Sequence, residues 1–136
     1  MGKRFFAKLS GREEVPPVET DASGSAQFEF DDDFKELHFK LAVNNLKEFT
    51  EAHIHIGEQG ENGPVVVFLF GPEKRGISVQ KGIVTGKITR RDLVGPLRGA
   101  PLHILAREME RKNTYVNAHT EQYPDGEIRG QIKESK

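Results

Sequence analysis

Apolar and polar side chains alternate with a period of two along most of the chain, which is typical of β-strands with one buried face. The alternation runs through Phe5–Leu9 and Ala26–Phe30 and is cleanest over Leu37–Val43. It returns briefly over Ala52–Ile56, whereas Val65–Phe70 is a continuous apolar run that predicts a strand buried on both faces. The pattern therefore predicts a chain built mainly of short antiparallel strands.

Three stretches break this alternation. Asn44–Thr50 is polar and irregular, which predicts a connection between two strands. Ile77–Thr89 has a strand pattern, but its apolar positions slip by one residue near Gly82, which predicts a bulge or a tight turn there. Over Pro101–Arg111 the apolar spacing changes to i, i+3 and i+7, which predicts one short amphipathic helix.

The last two predicted strands, Tyr115–Thr120 and Glu127–Lys133, are joined by a turn that contains Pro-Asp-Gly. With them the chain holds about eight strands and one helix, and it shows no repeat or inter-domain linker. We therefore expect a single domain over residues 1–136. The expected fold is all-β, as a Greek-key β-sandwich or small barrel.

Composition and charge narrow the chemistry. The chain has 136 residues, a formal net charge of -1 and no cysteine. The missing cysteines exclude disulfides, thiolate zinc sites and cysteine nucleophiles, and the low net charge argues against a nucleic-acid partner. No apolar run approaches the ~18 residues of a membrane span, so no membrane partner is expected. The default expectation is a cytoplasmic protein, because no signal peptide is seen, or an exported one if a leader was trimmed.

Three histidines carry the sharpest chemical signal. His53 and His55 lie two residues apart on one predicted strand, so both rings point to the same side of the sheet, and His119 lies on another strand. In the absence of cysteine, three imidazoles would suit Zn or Cu(II), which makes these residues a candidate metal site. The alternative is structural: the rings hydrogen-bond to loop backbone and pin residues 57–64 against the turn at residues 124–127.

Three polar residues near the end of the chain are candidate binding residues. Asn117 shares one side of its strand with His119, and Glu127 shares one side of the next strand with Arg129. If these strands pair, Arg129 either forms an ion pair with Glu127 or holds a carboxylate ligand, and the plainer interpretation is an ion pair on a polar face. No hydrolase, phosphate-loop or dinucleotide motif occurs, so catalysis is not predicted.

Two further features are expected to be structural. Glu13–Val18 is a short extended segment of polyproline type, which we expect to cross an edge of the sandwich. Gly130 lies on the predicted inward face of its strand, where a missing side chain leaves room for another side chain to pack.

Three segments of the chain, in this order and spacing, resemble one known family, the CHRD domain. The first is Phe5-Phe6-Ala7-Lys8-Leu9-Ser10-Gly11, continuing through Glu14-Val15-Pro16-Pro17-Val18 to Ala22-Ser23-Gly24-Ser25-Ala26. The second is Ala52-His53-Ile54-His55-Ile56-Gly57, continuing to Asn62-Gly63-Pro64-Val65-Val66. The third is Tyr115-Val116-Asn117-Ala118-His119-Thr120, then Tyr123-Pro124-Asp125-Gly126-Glu127-Ile128-Arg129-Gly130-Gln131-Ile132.

The resemblance implies an immunoglobulin-like or superoxide-dismutase-like β-sandwich and does not imply an enzyme. The domain is repeated in the animal protein chordin, which binds secreted growth factors. Single-domain members, which this chain resembles most, are found in many bacterial proteins; most have no assigned function and many are exported. No leader is recognised in the sequence, so we expect a departure from the exported members, and the charged helix segment Arg107–Lys112 is longer than the resemblance leads us to expect.

Two functional hypotheses follow from these observations. The first is a non-catalytic binding module that uses loops at one end of the sandwich, where residues 53–64 meet residues 119–127. Its partner would be another protein or a second copy of the chain. The second is a Cu- or Zn-binding protein that holds the ion through His53, His55 and His119.

Overall fold

A computed structural model describes residues 2–135, which form eight β-strands and one α-helix. In chain order they are β1 (Arg4–Ser10), β2 (Ser23–Phe30), β3 (Leu37–Ile56), β4 (Val65–Phe70), β5 (Ile77–Ile88), α1 (Leu102–Glu110), β6 (Thr114–Thr120), β7 (Ile128–Gln131) and β8 (Lys133–Glu134). Short 3-10 turns begin at Gly11, Arg90 and Gly95.

Strand β3 is the element that the others share, and every strand pair is antiparallel. Its first part pairs with β2 and β5, whereas its last part pairs with β6 and β4. Because β2 and β6 are also linked through β1 and β7, the path of paired strands closes on itself. The all-β prediction is confirmed in a sandwich- or barrel-like form, and the Greek-key order stays a prediction.

The core follows the alternation seen in the sequence. Phe5, Ala7 and Leu9 of β1 are buried between exposed neighbours, and the same pattern holds along β2 and the first part of β3. Phe5 and Phe30 meet edge to face, with ring centroids 5.9 Å apart. Burying a side chain of this size contributes roughly 2–3 kcal/mol to folding, so the alternating positions hold the fold in a chain without disulfides.

Residues 44–50 correct one prediction, because they continue β3 and are not a connection. Leu46 and Phe49 are buried, so the chain gains by staying in the sheet here. Asn45 and Glu48 take the left-handed conformation, with φ of 54° and 55°, and the register with β5 shifts between Leu46 and Phe49. The irregular polar pattern therefore marks a bulge inside one strand, which carries β3 from one part of the sheet to the other.

The predicted slip near Gly82 was wrong. The register between β3 and β5 is continuous from Leu37 to Leu46, past the position that pairs with Gly82. The irregularity lies in the partner strand, where two residues separate Leu46 from Phe49 and only one separates their partners Val79 and Ile77, so β3 has one extra residue there. A change of apolar phase in one strand can thus reflect a bulge in its neighbour.

The burial of β4 on both faces was also not found. Val66 and Val67 are fully buried, but the Phe68 side chain remains 45% exposed. Strand β4 lies outside the closed path and, among the described strands, pairs with β3 alone, so this ring lies at an edge of the sheet. It packs edge to face against His53, with ring centroids 4.6 Å apart.

The predicted helix is present, whereas the predicted side-chain packing at Gly130 is not. Helix α1 is confirmed, and it buries Leu102, Leu105 and Met109 along one stripe. At Gly130 it is backbone and not a side chain that approaches closely, because a Cβ there would collide with the Lys8 carbonyl oxygen of β1. No helix in the described part of the chain is long and apolar enough to cross a membrane.

Candidate functional site

One face of the sheet formed by β7, β6, β3 and β4 is lined with polar and aromatic side chains. Glu51 lies opposite His119, His53 opposite Asn117, and His55 opposite Tyr115 in the register of β3 with β6. Opposed residues of antiparallel strands project to the same side, so all these side chains share one face. The intervening residues of both strands face the core, as expected from the pattern.

This polar face is covered by loops and is not open to solvent. The three histidines, Asn117 and Tyr115 are each 8% exposed or less. The cover comes from the loop at residues 57–64, the segment at residues 11–18 and the turn at residues 121–127. Asn62 ties the first two together by donating to the Val15 carbonyl at 2.9 Å.

The structure brings His53, His55 and His119 into one cluster. One ring nitrogen from each residue lies within 4.8 Å of the others. The closest pair is His53 Nδ1 and His119 Nε2, at 3.2 Å. The i, i+2 spacing on β3 and the pairing of β3 with β6 together produce this convergence.

The outward nitrogen of each ring faces an oxygen acceptor. His55 Nδ1 donates to the Gly63 carbonyl at 2.9 Å, and His119 Nδ1 donates to the Pro124 carbonyl at 2.7 Å. His53 Nε2 lies 2.7 Å from a Glu51 carboxylate oxygen, although the contact is not aligned as a hydrogen bond. Carbonyl and carboxylate acceptors behind the rings are the usual way in which metal-binding histidines are oriented.

The inward nitrogens of His55 and His119 meet at one oxygen atom. His55 Nε2 and His119 Nε2 both lie 2.9 Å from Asn117 Oδ1. In the neutral tautomer protonated at Nδ1, such a ring uses its single N–H on the backbone carbonyl and presents a lone pair on its inward nitrogen. Burial lowers the pKa of His55, and burial followed by the neighbouring His119 and His55 lowers that of His53 to about 3. The lowered pKa values favour the neutral form of these two rings, His53 and His55.

Tyr115 forms one wall of the cluster. Its ring stacks on His55 at 4.6 Å between centroids and 7° between planes, and its hydroxyl accepts from the Gly63 amide at 3.0 Å. The Arg129 guanidinium covers the other side of the ring, 3.5 Å from the centroid. This stack fixes the plane of the His55 ring, so its inward nitrogen has little freedom to turn away.

Arg129 and Glu127 do not interact as the sequence suggested. Arg129 is 1% exposed and donates to the carbonyls of Glu58 and Glu61, at 3.0 and 2.6 Å, and to Asn62 Oδ1 at 3.0 Å. Among the described residues it forms no ion pair with Glu127. The predicted ion pair between Arg129 and Glu127 on a polar face is therefore wrong. Arg129 is instead buried under the loop at residues 57–64 and anchors that loop.

Glu127 is held by hydroxyl groups. It accepts from Thr20 at 2.6 Å and from Thr120 at 2.9 Å, and it is buried. These contacts fasten the turn at residues 121–127 to β6 and to the segment that precedes β2. Of the three predicted binding residues, only Asn117 touches the histidines.

Two acidic residues of this region were missed from the sequence. Glu51 precedes His53 by two positions, so the same alternation that linked His53 with His55 could have revealed it. Glu14 had no such signal, since it reaches the site through the long connection between β1 and β2. It is 5% exposed, and its Oε2 atom has no hydrogen-bond partner. Glu13–Val18 therefore covers the site and does not merely cross an edge.

The family follows from a comparison over nearly the whole chain. A family model described as the CHRD domain matches residues 5–132. The chain belongs to the CHRD domain family. No curated protein matches it. The matched range of this CHRD domain includes the three histidines, Asn117, Glu14 and the loops that cover them.

Proposed function

We propose that this CHRD domain is a non-catalytic binding module and that its ligand is a divalent transition metal, Zn or Cu(II). His53, His55 and His119 would hold the ion through their inward nitrogens. The observation that carries the proposal is the convergence of one nitrogen from each histidine, with an oxygen acceptor behind each ring at Glu51, Gly63 and Pro124. Such an arrangement orients three imidazoles towards one point.

The spacing of the nitrogens supports the proposal. Two ligands about 2.05 Å from one ion at a tetrahedral angle are ~3.3 Å apart. His53 Nδ1 and His119 Nε2 are 3.2 Å apart. The three nitrogens lie within 4.8 Å of one another, so ring movements below ~1 Å bring each within bonding distance of a common ion.

The structural interpretation explains only part of the cluster. Hydrogen bonds to the Gly63 and Pro124 carbonyls do pin the two loops, as that interpretation requires. They leave unexplained why the inward nitrogens of His55 and His119 meet at one oxygen. A cation at this point would use the inward nitrogens as ligands.

The experiment is a metal titration of protein purified without an affinity tag and stripped with a chelator. We expect one Zn or Cu(II) per chain by calorimetry with a competing chelator, and loss of binding in the double variant His55→Ala/His119→Ala. The matched control is His38→Ala/His103→Ala, because both residues are exposed and lie outside the cluster. The proposal would be refuted if the wild type did not bind metal stoichiometrically, or if the His55→Ala/His119→Ala variant bound metal as tightly as the wild type.

A second candidate is the protein-binding form of the module, with another protein or a second copy as the partner. It is favoured by a groove of about 450 Å³ beside the site, between residues 14–19 and residues 122–126. Pro16, Pro17 and Tyr123 supply apolar walls. Sedimentation at rising concentration tests the second copy: dimerisation weakened by Tyr123→Asp would support it, and a monomer at every concentration would remove it.

A further inference from the structure

Asn117 occupies the centre of the polar face. It lies opposite His53 on the neighbouring strand and is 3% exposed. Its Oδ1 atom is equidistant, at 2.9 Å, from His55 Nε2 and His119 Nε2. No other side-chain oxygen among the described residues lies within hydrogen-bond distance of two of the three histidines.

The following inference rests on the metal site proposed above. We infer that Asn117 Oδ1 is a fourth ligand, so that the ion is held by three nitrogens and one oxygen, and that this donor set selects Cu(II) over Zn. Glu14 acts as the positioning residue that keeps the amide oxygen turned towards the ion.

The two separations that involve the oxygen favour angles near 90° at the ion, smaller than the angle of about 100° that corresponds to the 3.2 Å between His53 Nδ1 and His119 Nε2. Two ligands at about 2.05–2.1 Å from one ion and ~2.9 Å apart subtend about 90°, whereas tetrahedral ligands are ~3.3 Å apart. Asn117 Oδ1 has the shorter separation from both histidine nitrogens. Cu(II) prefers tetragonal sites of nitrogen and oxygen ligands, whereas Zn prefers tetrahedral ones.

The orientation of the amide depends on what faces its other end. A Cβ at Gly126 would collide with Glu14 Oε2 and would crowd Asn117 Nδ2, so both atoms lie against this one glycine. Glu14 Oε2 has no hydrogen-bond partner, and the Asn117 amide lowers the pKa of Glu14 against the larger effect of burial. A carboxyl oxygen of Glu14 on this side of the amide favours the orientation that turns the NH2 group towards Glu14 and directs Oδ1 to the histidines.

Gly126 allows this arrangement because it has no side chain and adopts a φ of +122°. Glu14 is brought there by the 3-10 turn that begins at Gly11, where the Glu14 amide donates to the Gly11 carbonyl at 3.1 Å. The positioning contact thus joins the β1–β2 connection to the centre of β6.

The test compares Cu(II) and Zn affinities of the full chain with those of Asn117→Leu, which keeps the side-chain shape but removes the oxygen. We expect the Cu(II) affinity to fall about 10- to 100-fold and the preference for Cu(II) over Zn to narrow, with a changed Cu(II) electron paramagnetic resonance spectrum. The preference must be compared as a ratio between variants, because Cu(II) binds nitrogen and oxygen sites more tightly than Zn in general.

Glu14→Leu tests the positioning role and should weaken Cu(II) by about tenfold, whereas Glu14→Gln, which keeps an acceptor oxygen, restores most of the affinity. Glu19→Leu is the matched control, because Glu19 is exposed on the same segment. If Asn117→Leu fails to fold, Asn117→Asp replaces it: a charged oxygen at the same place should raise the Cu(II) affinity and alter the spectrum.

The outcomes separate this inference from the metal site itself. Suppose that metal binding disappears in the His55→Ala/His119→Ala variant, but that Asn117→Leu changes neither the affinity, the selectivity nor the spectrum. That result overturns Asn117 as the fourth ligand and leaves the metal site standing. Asn117→Asp is read in the same way if the leucine variant does not fold. Wild-type protein that binds neither metal removes both.

Discussion

The buried carboxylate of Glu14 gives a prediction about pH and stability. Burial raises its pKa from 4.5 to about 7, against smaller lowering effects of Arg129 and the Asn117 amide. Between these two values the folded chain keeps a proton that the unfolded chain has released, so stability falls as the pH rises. The favourable contribution is complete below pH 4.5 and is lost above about pH 7.

The size of the effect follows from the same two values. The interval from 4.5 to about 7 corresponds to about 3 kcal/mol at ~1.4 kcal/mol per pKa unit, and partial solvent screening reduces this to about 2 kcal/mol. Glu14→Gln removes the charge, so the metal-free variant should exceed the wild type in unfolding free energy by about this amount at pH 8. The two proteins should be nearly equal at pH 4.

The assay is urea unfolding in the presence of a chelator at pH 4, 6 and 8, followed by circular dichroism. Glu19→Gln is the control, since Glu19 is exposed on the same segment, and it should follow the wild type at every pH. A Glu14→Gln variant that is less stable than wild type at pH 8, or whose advantage does not depend on pH, would refute the reasoning.

Two other predictions concern the same region. His53 has its pKa lowered from 6.5 to about 3, chiefly by burial, so the unfolded chain binds the proton more tightly and stability should be lost as the pH falls from 6.5 towards 3. Thermal unfolding of metal-free His53→Asn should show a shallower loss over that range, and an unchanged slope would contradict it. Arg129→Met should cost about 3 kcal/mol and increase hydrogen exchange in residues 57–64, because the Glu58 and Glu61 carbonyls lose their donor. The exposed control Arg4→Met should change stability by less than ~0.5 kcal/mol, and equal effects of the two variants would show that the buried contacts are unimportant.

Local alternation was sufficient to predict most strands but not the path of β3. Leu37–Val43 has a regular period of two, so its strand and its buried face were both predictable. The continuation through Asn45 and Glu48 was not, because left-handed residues at a bulge look like a loop in the sequence. Only the pairing with β5 shows that the sheet persists there.

The candidate site was predictable to the extent that it depends on strand geometry. His53 and His55 had to share a face, and Asn117 and His119 had to share another strand face. Their meeting depends on which strands pair, and the approach of Glu14 depends on the path of a connection. Arg129 shows the same limit, since its partners are loop carbonyls that no residue pattern identifies.

The long strand β3 also bears on how the molecule folds. It contributes its first part to pairs with β2 and β5 and its last part to pairs with β4 and β6, so neither group of strands is complete without it. Neither half can act as an independent foldon, and partial opening of one group should propagate to the other. Its pairing with β6 joins residues 58 to 71 positions apart, so the contact order is high and folding should be slow, in a single cooperative transition.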